Sequence, residues 1–168
     1  MKSSDLLVDA FERIRDAVHP AVNGLSREEL AFRIDDGSNS IAWLVWHLTR
    51  IQDDQVATLD DGRQVWMTNG WADQFDLPLA PGDTGYGHGP DESAKVIAEA
   101  TLLLGYFEDV HHKTLQFVRS LEESELERVV DKSWDPPVTV SIRLVSVIAD
   151  DLQHVGQAAY LRGVLQRR

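Results

Sequence analysis

Residues 40–59 read SIAWLVWHLTRIQDDQVATL. Ile41, Leu44, Val45, Leu48 and Ile51 recur at the three- and four-residue spacing of one helix face, and Trp43 and Trp46 broaden that stripe. Asp36-Gly37-Ser38-Asn39 breaks the chain just before it and can supply a cap. The segment therefore reads as an amphipathic helix from Ser40 to Leu59. A stripe this apolar must pack against other helices, so the rest of the chain has to provide them.

It does so on both sides. Ser4 can cap a first helix reaching about His19, with Leu6, Leu7, Ala10, Ile14 and Val18 inward and Pro20 just beyond. Ser26 with Glu29 forms a capping-box pattern for a short turn around Leu30. Residues 91–120 read as a third long helix carrying Val96, Ile97, Ala100, Leu103, Leu104, Phe107 and Val110. Ser120 with Glu123 can start another short turn, and Asp135-Pro136-Pro137 is a breaker. A last helix runs from Thr139 to Leu165 with Leu144, Val147, Ile148, Leu152, Val155, Leu161 and Leu165. No segment reads as a convincing strand. Four long amphipathic helices predict an all-α four-helix bundle, residues 1–168 forming one domain.

Between the second and third helices, residues 60–90 carry six glycines and three prolines together with Trp66, Trp71, Phe75 and Tyr86. Aromatics of that kind argue against disorder, so the expectation is a long ordered loop packed on the bundle.

Composition excludes several functions. The net charge of -12 repels phosphate backbones, and no basic patch offsets it, so neither nucleic acid nor an anionic lipid surface is an expected partner. With no cysteine there is no disulfide, thiolate zinc site or protein thiol nucleophile. Lys2, Asp5 and Asp9 interrupt the first residues, which lack the apolar core of a signal peptide, and no apolar run is long enough for a membrane span. The expected location is the cytoplasm.

Two histidines interrupt apolar stripes: His47 beside Trp46 and Leu48, and His154 between Leu152 and Val155. Each alone reads more readily as a core residue satisfied by hydrogen bonds than as a ligand. Asp150, however, lies four residues before His154, so both side chains leave one helix face a turn apart. A carboxylate and an imidazole so placed can chelate one cation, and His47 from a facing helix would complete three ligands with a position left open. Asp151 is the alternative carboxylate. A solvated acidic face is the competing reading of both.

Asn39-Ser40-Ile41-Ala42-Trp43-Leu44-Val45-Trp46-His47-Leu48 resembles the second-helix motif of the DinB-like (YfiT-like) proteins. Asp150-Asp151-Leu152-Gln153-His154-Val155-Gly156-Gln157, followed by Leu161-Arg162-Gly163, resembles their fourth-helix motif. Asp83-Thr84-Gly85-Tyr86-Gly87-His88 looks like a loop motif of a largely actinobacterial branch. The superfamily includes S-transferases that use mycothiol or bacillithiol, and mycothiol-dependent maleylpyruvate isomerases. The resemblance implies an up-down-down-up bundle whose second and third helices run parallel, which gives the 60–90 loop a crossing to make. It also implies a metal triad, with His47 and His154 matching directly. Many members have His where this chain has Asp150, and related branches have a carboxylate there, so the third ligand and the metal stay open among zinc, nickel, iron and manganese, zinc first.

What the resemblance implies for activity is transfer of a low-molecular-weight thiol, mycothiol or another, to an electrophilic small molecule. Gln157, one turn beyond His154, is a candidate contact to ligand or substrate, and an ordinary helix residue otherwise. Tyr86 and His88 are candidates to close over the pocket, with loop packing as the alternative. Arg162 is a candidate partner for an anionic thiol cofactor, although a cation there also suits the helix dipole. His111 and His112 point in different directions and read as structural or surface residues; His19 complements a helix end. Two other functions compete: a hydrolase whose ion activates water, and a non-catalytic, metal-stabilised stress or interaction domain, a homodimer through one bundle face.

Overall fold

In the structure, a computed structural model, residues 2–60 and 62–167 are described; Met1, Asp61 and Arg168 lie outside them. The four long helices are α1 (Ser3–Val22), α3 (Ile41–Leu59), α7 (Ala100–Ser120) and α8 (Val140–Leu165). Short helices α2 (Arg27–Leu30), α4 (Val65–Thr68), α5 (Trp71–Phe75) and α6 (Pro90–Ser93) fill the connections. A 3-10 turn at Glu123–Glu127 leads into an antiparallel pair, β1 (Val129–Asp131) with β2 (Val138–Thr139).

Local chemistry explains most boundaries. Ser40 Oγ accepts the Trp43 N–H at 3.1 Å and opens α3. Ser26 and Glu29 form the reciprocal capping box expected of them. Three boundaries differ from expectation. Helix α1 starts at Ser3, whose N–H and hydroxyl both donate to the Glu123 carboxylate, and it continues through Pro20 to Val22. Burial of Ala21 and Val22 carries the last turn past the missing N–H of Pro20. Helix α7 starts at Ala100 rather than residue 91. Val96 and Ala98 are buried while Ile97 is exposed, a period of two that belongs to extended chain rather than helix. The β pair was not expected, and it sits on either side of the Asp135-Pro136-Pro137 breaker.

Contacts between helices fix their directions. Ser3 meets Glu123, Glu12 meets His111 and His19 meets Glu108, so α1 and α7 are antiparallel. His47 meets His154 and Gln55 meets Arg143, so α3 and α8 are antiparallel. Arg162 donates to the Asn23 carbonyl, joining the ends of α8 and α1, which are therefore parallel. It follows that α3 and α7 are parallel: the bundle is up-down-down-up. Helix α3 packs on α7 and α8, as does α1.

A parallel pair cannot be joined by a tight turn, so residues 62–99 climb back along the bundle. They are pinned by a buried polar cluster. The Asp53 carboxylate accepts the N–H groups of Val65 and Trp66, both at 2.8 Å, and the Tyr106 hydroxyl at 2.9 Å. Arg50, fully buried, lies 3.7 Å from Asp53 and donates to the Asp83 carbonyl and to Gln64. Its guanidinium also sits 4.9 Å above the Trp66 ring. Trp71 lies against Gly105, where a Cβ would approach its ring to 2.7 Å. This segment buries the outer side of α3, whose residues 41–50 are all buried.

Candidate metal centre

Two helices and the climbing segment meet around His47. The His47 and His154 rings lie 4.8 Å apart, and one donor atom from each, with one Asp150 oxygen, all fall within 4.8 Å of one another. His47 Nδ1 donates to the Thr84 carbonyl at 2.6 Å, and His154 Nδ1 donates to the Asp150 carbonyl at 2.8 Å. Both rings are thereby fixed with Nδ1 protonated and Nε2 free to act as a ligand. Asp150 Oδ2 is buried with no hydrogen-bond partner; it lies 3.4 Å from His154 Nδ1, but that N–H is already spent on the carbonyl. Two directed imidazole nitrogens and an unmatched carboxylate oxygen form a donor set suited to a divalent cation.

The electrostatics agree. Burial pushes the His47 imidazole below its ordinary value, against the pull of the Thr84 carbonyl, so the ring stays neutral as a ligand must. The Asp150 carboxylate holds the His154 imidazole above its ordinary value, against its partial burial. A proton held by the Asp150–His154 pair competes with a metal ion for that ring, so metal uptake there releases it. Asp151, the alternative carboxylate, is fully buried in the core stripe of α8 with neither oxygen partnered. Burial, with Asp150 beside it, drives its carboxyl well above the usual range, and it takes no part in the His47–Asp150–His154 group.

The Mycothiol-S-transferase family model matches residues 6–166. The chain belongs to that DinB-like family. A crystal structure of a conserved protein from Enterococcus faecalis is similar over 100% of this chain and 99% of its own, with 31% identity and a TM-score of 0.93. Among curated proteins none matches.

The loop of residues 83–88 turns out to be the support for His47. Trp43 stacks on the His47 ring at 4.4 Å and donates its indole N–H to His88 Nδ1 at 3.2 Å. His88 Nε2 donates in turn to Asp83 Oδ1 at 3.0 Å, an oxygen that also accepts the Gly85 N–H. Both His88 nitrogens are therefore occupied, and His88 holds the loop rather than facing a pocket. Tyr86 is 88% exposed at the rim of a cleft of about 230 Å³ that reaches His47 and Asp150. Gln157 lines a different pocket, of about 460 Å³, with Ile34, Leu44 and Tyr160. Arg162 is turned to the Asn23 carbonyl. His111 is buried against Phe107, and His112 meets Gln116 on the surface.

Sequence reading did not single out Thr84, Trp43 or Arg143. Arg143 carried a usable signal, since it precedes Asp150 by two helical turns and so shares its face. Gly85 carried another. It adopts φ +87°, and a Cβ there would lie 2.7 Å from His47 Nδ1 and 3.0 Å from the Trp46 ring. Gly85→Ala should therefore displace the His47 ring and weaken zinc binding about tenfold or more, a loss in the range typical of disturbed ligand support. Calorimetric titration of metal-free protein with zinc reads this directly.

Proposed function

We propose that this protein is a divalent-metal-dependent thiol S-transferase, joining a low-molecular-weight thiol of the mycothiol type to an electrophilic small molecule. The observation that supports it is the convergence of the His47 and His154 imidazoles with the Asp150 carboxylate, His47 and Asp150 lining one end of a cleft. His47, Asp150 and His154 would hold the ion, zinc first, then nickel, iron or manganese. A divalent ion there supplies acidification of a bound thiol. The chain has no cysteine, so the sulfur has to arrive with a cofactor. Its own residues orient and exclude. Thr84 and the Asp150 carbonyl fix the two imidazole tautomers, while Trp43 shields one side of His47. Tyr86 stands exposed at the rim, placed to meet an entering substrate.

The test is consumption of a chlorobimane with mycothiol by zinc-loaded protein, beside the uncatalysed mixture. The expected result is turnover well above that mixture, absent with His154→Ala. Hydrolysis of an ester or amide with no thiol consumed would replace this reading with a hydrolase. If neither reaction occurs and zinc only raises the melting temperature, the site is structural.

A further inference from the structure

The cleft beside the candidate metal centre is built from two facing stripes. Helix α3 contributes His47, Ile51 and Gln55; α8 answers with Asp150, Val147 and Arg143. The metal-binding group stands at one end and the Arg143 guanidinium at the other. Seven residues separate Arg143 from Asp150, which places them about 10 Å apart along the helix axis.

Arg143 is tethered but not saturated. Its Nη1 donates to Gln55 Oε1 at 2.5 Å, and its Nη2 lies a long 3.5 Å from Asp131 Oδ2. A guanidinium has five N–H donors; Nε is buried without an acceptor, and Nη1 and Nη2 each keep one N–H for a ligand in the cleft. A quarter of the side chain is exposed. Arg143 is the one lysine or arginine among the described residues lining this cleft, on a chain of net charge -12. An anionic ligand repelled by the surface as a whole meets positive charge here. A planar fork with spare donors is also the group best shaped for a carboxylate.

The geometry points to Arg143 as the specificity residue for a carboxylate on the cleft's ligand, carried about two helical turns from the atom that meets the metal. This rests on the thiol-transferase reading, and it says which thiols or electrophiles the site selects. The carboxylate belongs either to the thiol or to the electrophile, and binding measurements separate these sources. The cleft span is matched by a six-carbon chain, so the probes are 6-mercaptohexanoate, 6-mercaptohexanol and hexanoate, titrated calorimetrically into zinc-loaded protein.

If the thiol carries the charge, 6-mercaptohexanoate binds about tenfold more tightly than 6-mercaptohexanol, the scale of one charge-assisted hydrogen bond. If the electrophile carries it, hexanoate binds alongside saturating 2-mercaptoethanol. In both cases Arg143→Gln removes the carboxylate-dependent part and Arg143→Lys restores some of it. Asp131→Asn removes the protein's own competitor for the guanidinium and should tighten carboxylate binding about threefold. A residue that merely braces the β1–β2 hairpin would show no such gain. The inference is overturned if neither carboxylate probe distinguishes wild type from Arg143→Gln. Failure of 6-mercaptohexanol to bind zinc-loaded wild type counts against the transferase reading instead, and the hexanoate comparison still decides the role of Arg143.

Discussion

His154→Ala should abolish stoichiometric zinc binding and leave the bundle folded. His154 offers its Nε2 from a half-buried ring whose other nitrogen is satisfied within its own helix turn. Its loss removes a ligand without opening a core cavity, so the metal-free melting temperature should move by only a few degrees, about 1 kcal/mol at this size. Metal affinity should fall by at least about 100-fold, since disturbing even the partners of ligands costs 10–100-fold. Zinc should raise the melting temperature of wild type through linkage and leave that of His154→Ala unchanged. The paired comparison of Asp150→Asn with Asp151→Asn decides the third ligand. Asp150→Asn should weaken zinc binding, whereas Asp151→Asn, in the core and apart from the His47 group, should not. Equal zinc content in wild type and His154→Ala would remove the metal centre altogether.

Much of the fold, and the meeting of His47, Asp150 and His154, was legible in the chain. The two imidazoles announce themselves because each interrupts an apolar stripe, and Asp150 because it sits one turn from His154. The end caps at Ser26 and Ser40 are local, so their sequence signals survive folding intact. The failures share a cause. Val96 and Ile97 fit a helical stripe on paper, but their burial is decided by the distant surface they land on, and only Val96 turns inward. Pro20 looked like a terminator, yet packing of the residues beyond it outweighs one lost hydrogen bond. For His88 the choice between pocket and loop packing stayed open, since nothing in its neighbourhood shows that Trp43 and Asp83 claim both nitrogens. Contacts between segments forty residues apart leave no periodic trace.

The buried cluster around Asp53 is the largest feature of that hidden kind, and its removal should be costly. Asp53→Ala leaves the Val65 and Trp66 N–H groups and the Tyr106 hydroxyl without their acceptor, in a region closed to solvent. It also leaves the Arg50 guanidinium, fully buried, with its nearest carboxylate gone. Breaking one side of a buried charge pair costs about 3–5 kcal/mol, which corresponds to a fall of roughly 10 °C in melting temperature for a chain this size. Asp53→Asn keeps one acceptor oxygen and should lose about half as much. The effect should not stop at stability. Arg50 also holds the Asp83 carbonyl, one residue before the Thr84 carbonyl that orients His47. A loosened Arg50 therefore frees the His47 ring, and zinc affinity should drop in the Asp53→Ala protein even at temperatures where it is fully folded. Thermal unfolding and zinc titration of the same sample check both halves. If stability falls while zinc affinity is untouched, the climbing segment is anchored at 65–66 independently of the loop that orients His47.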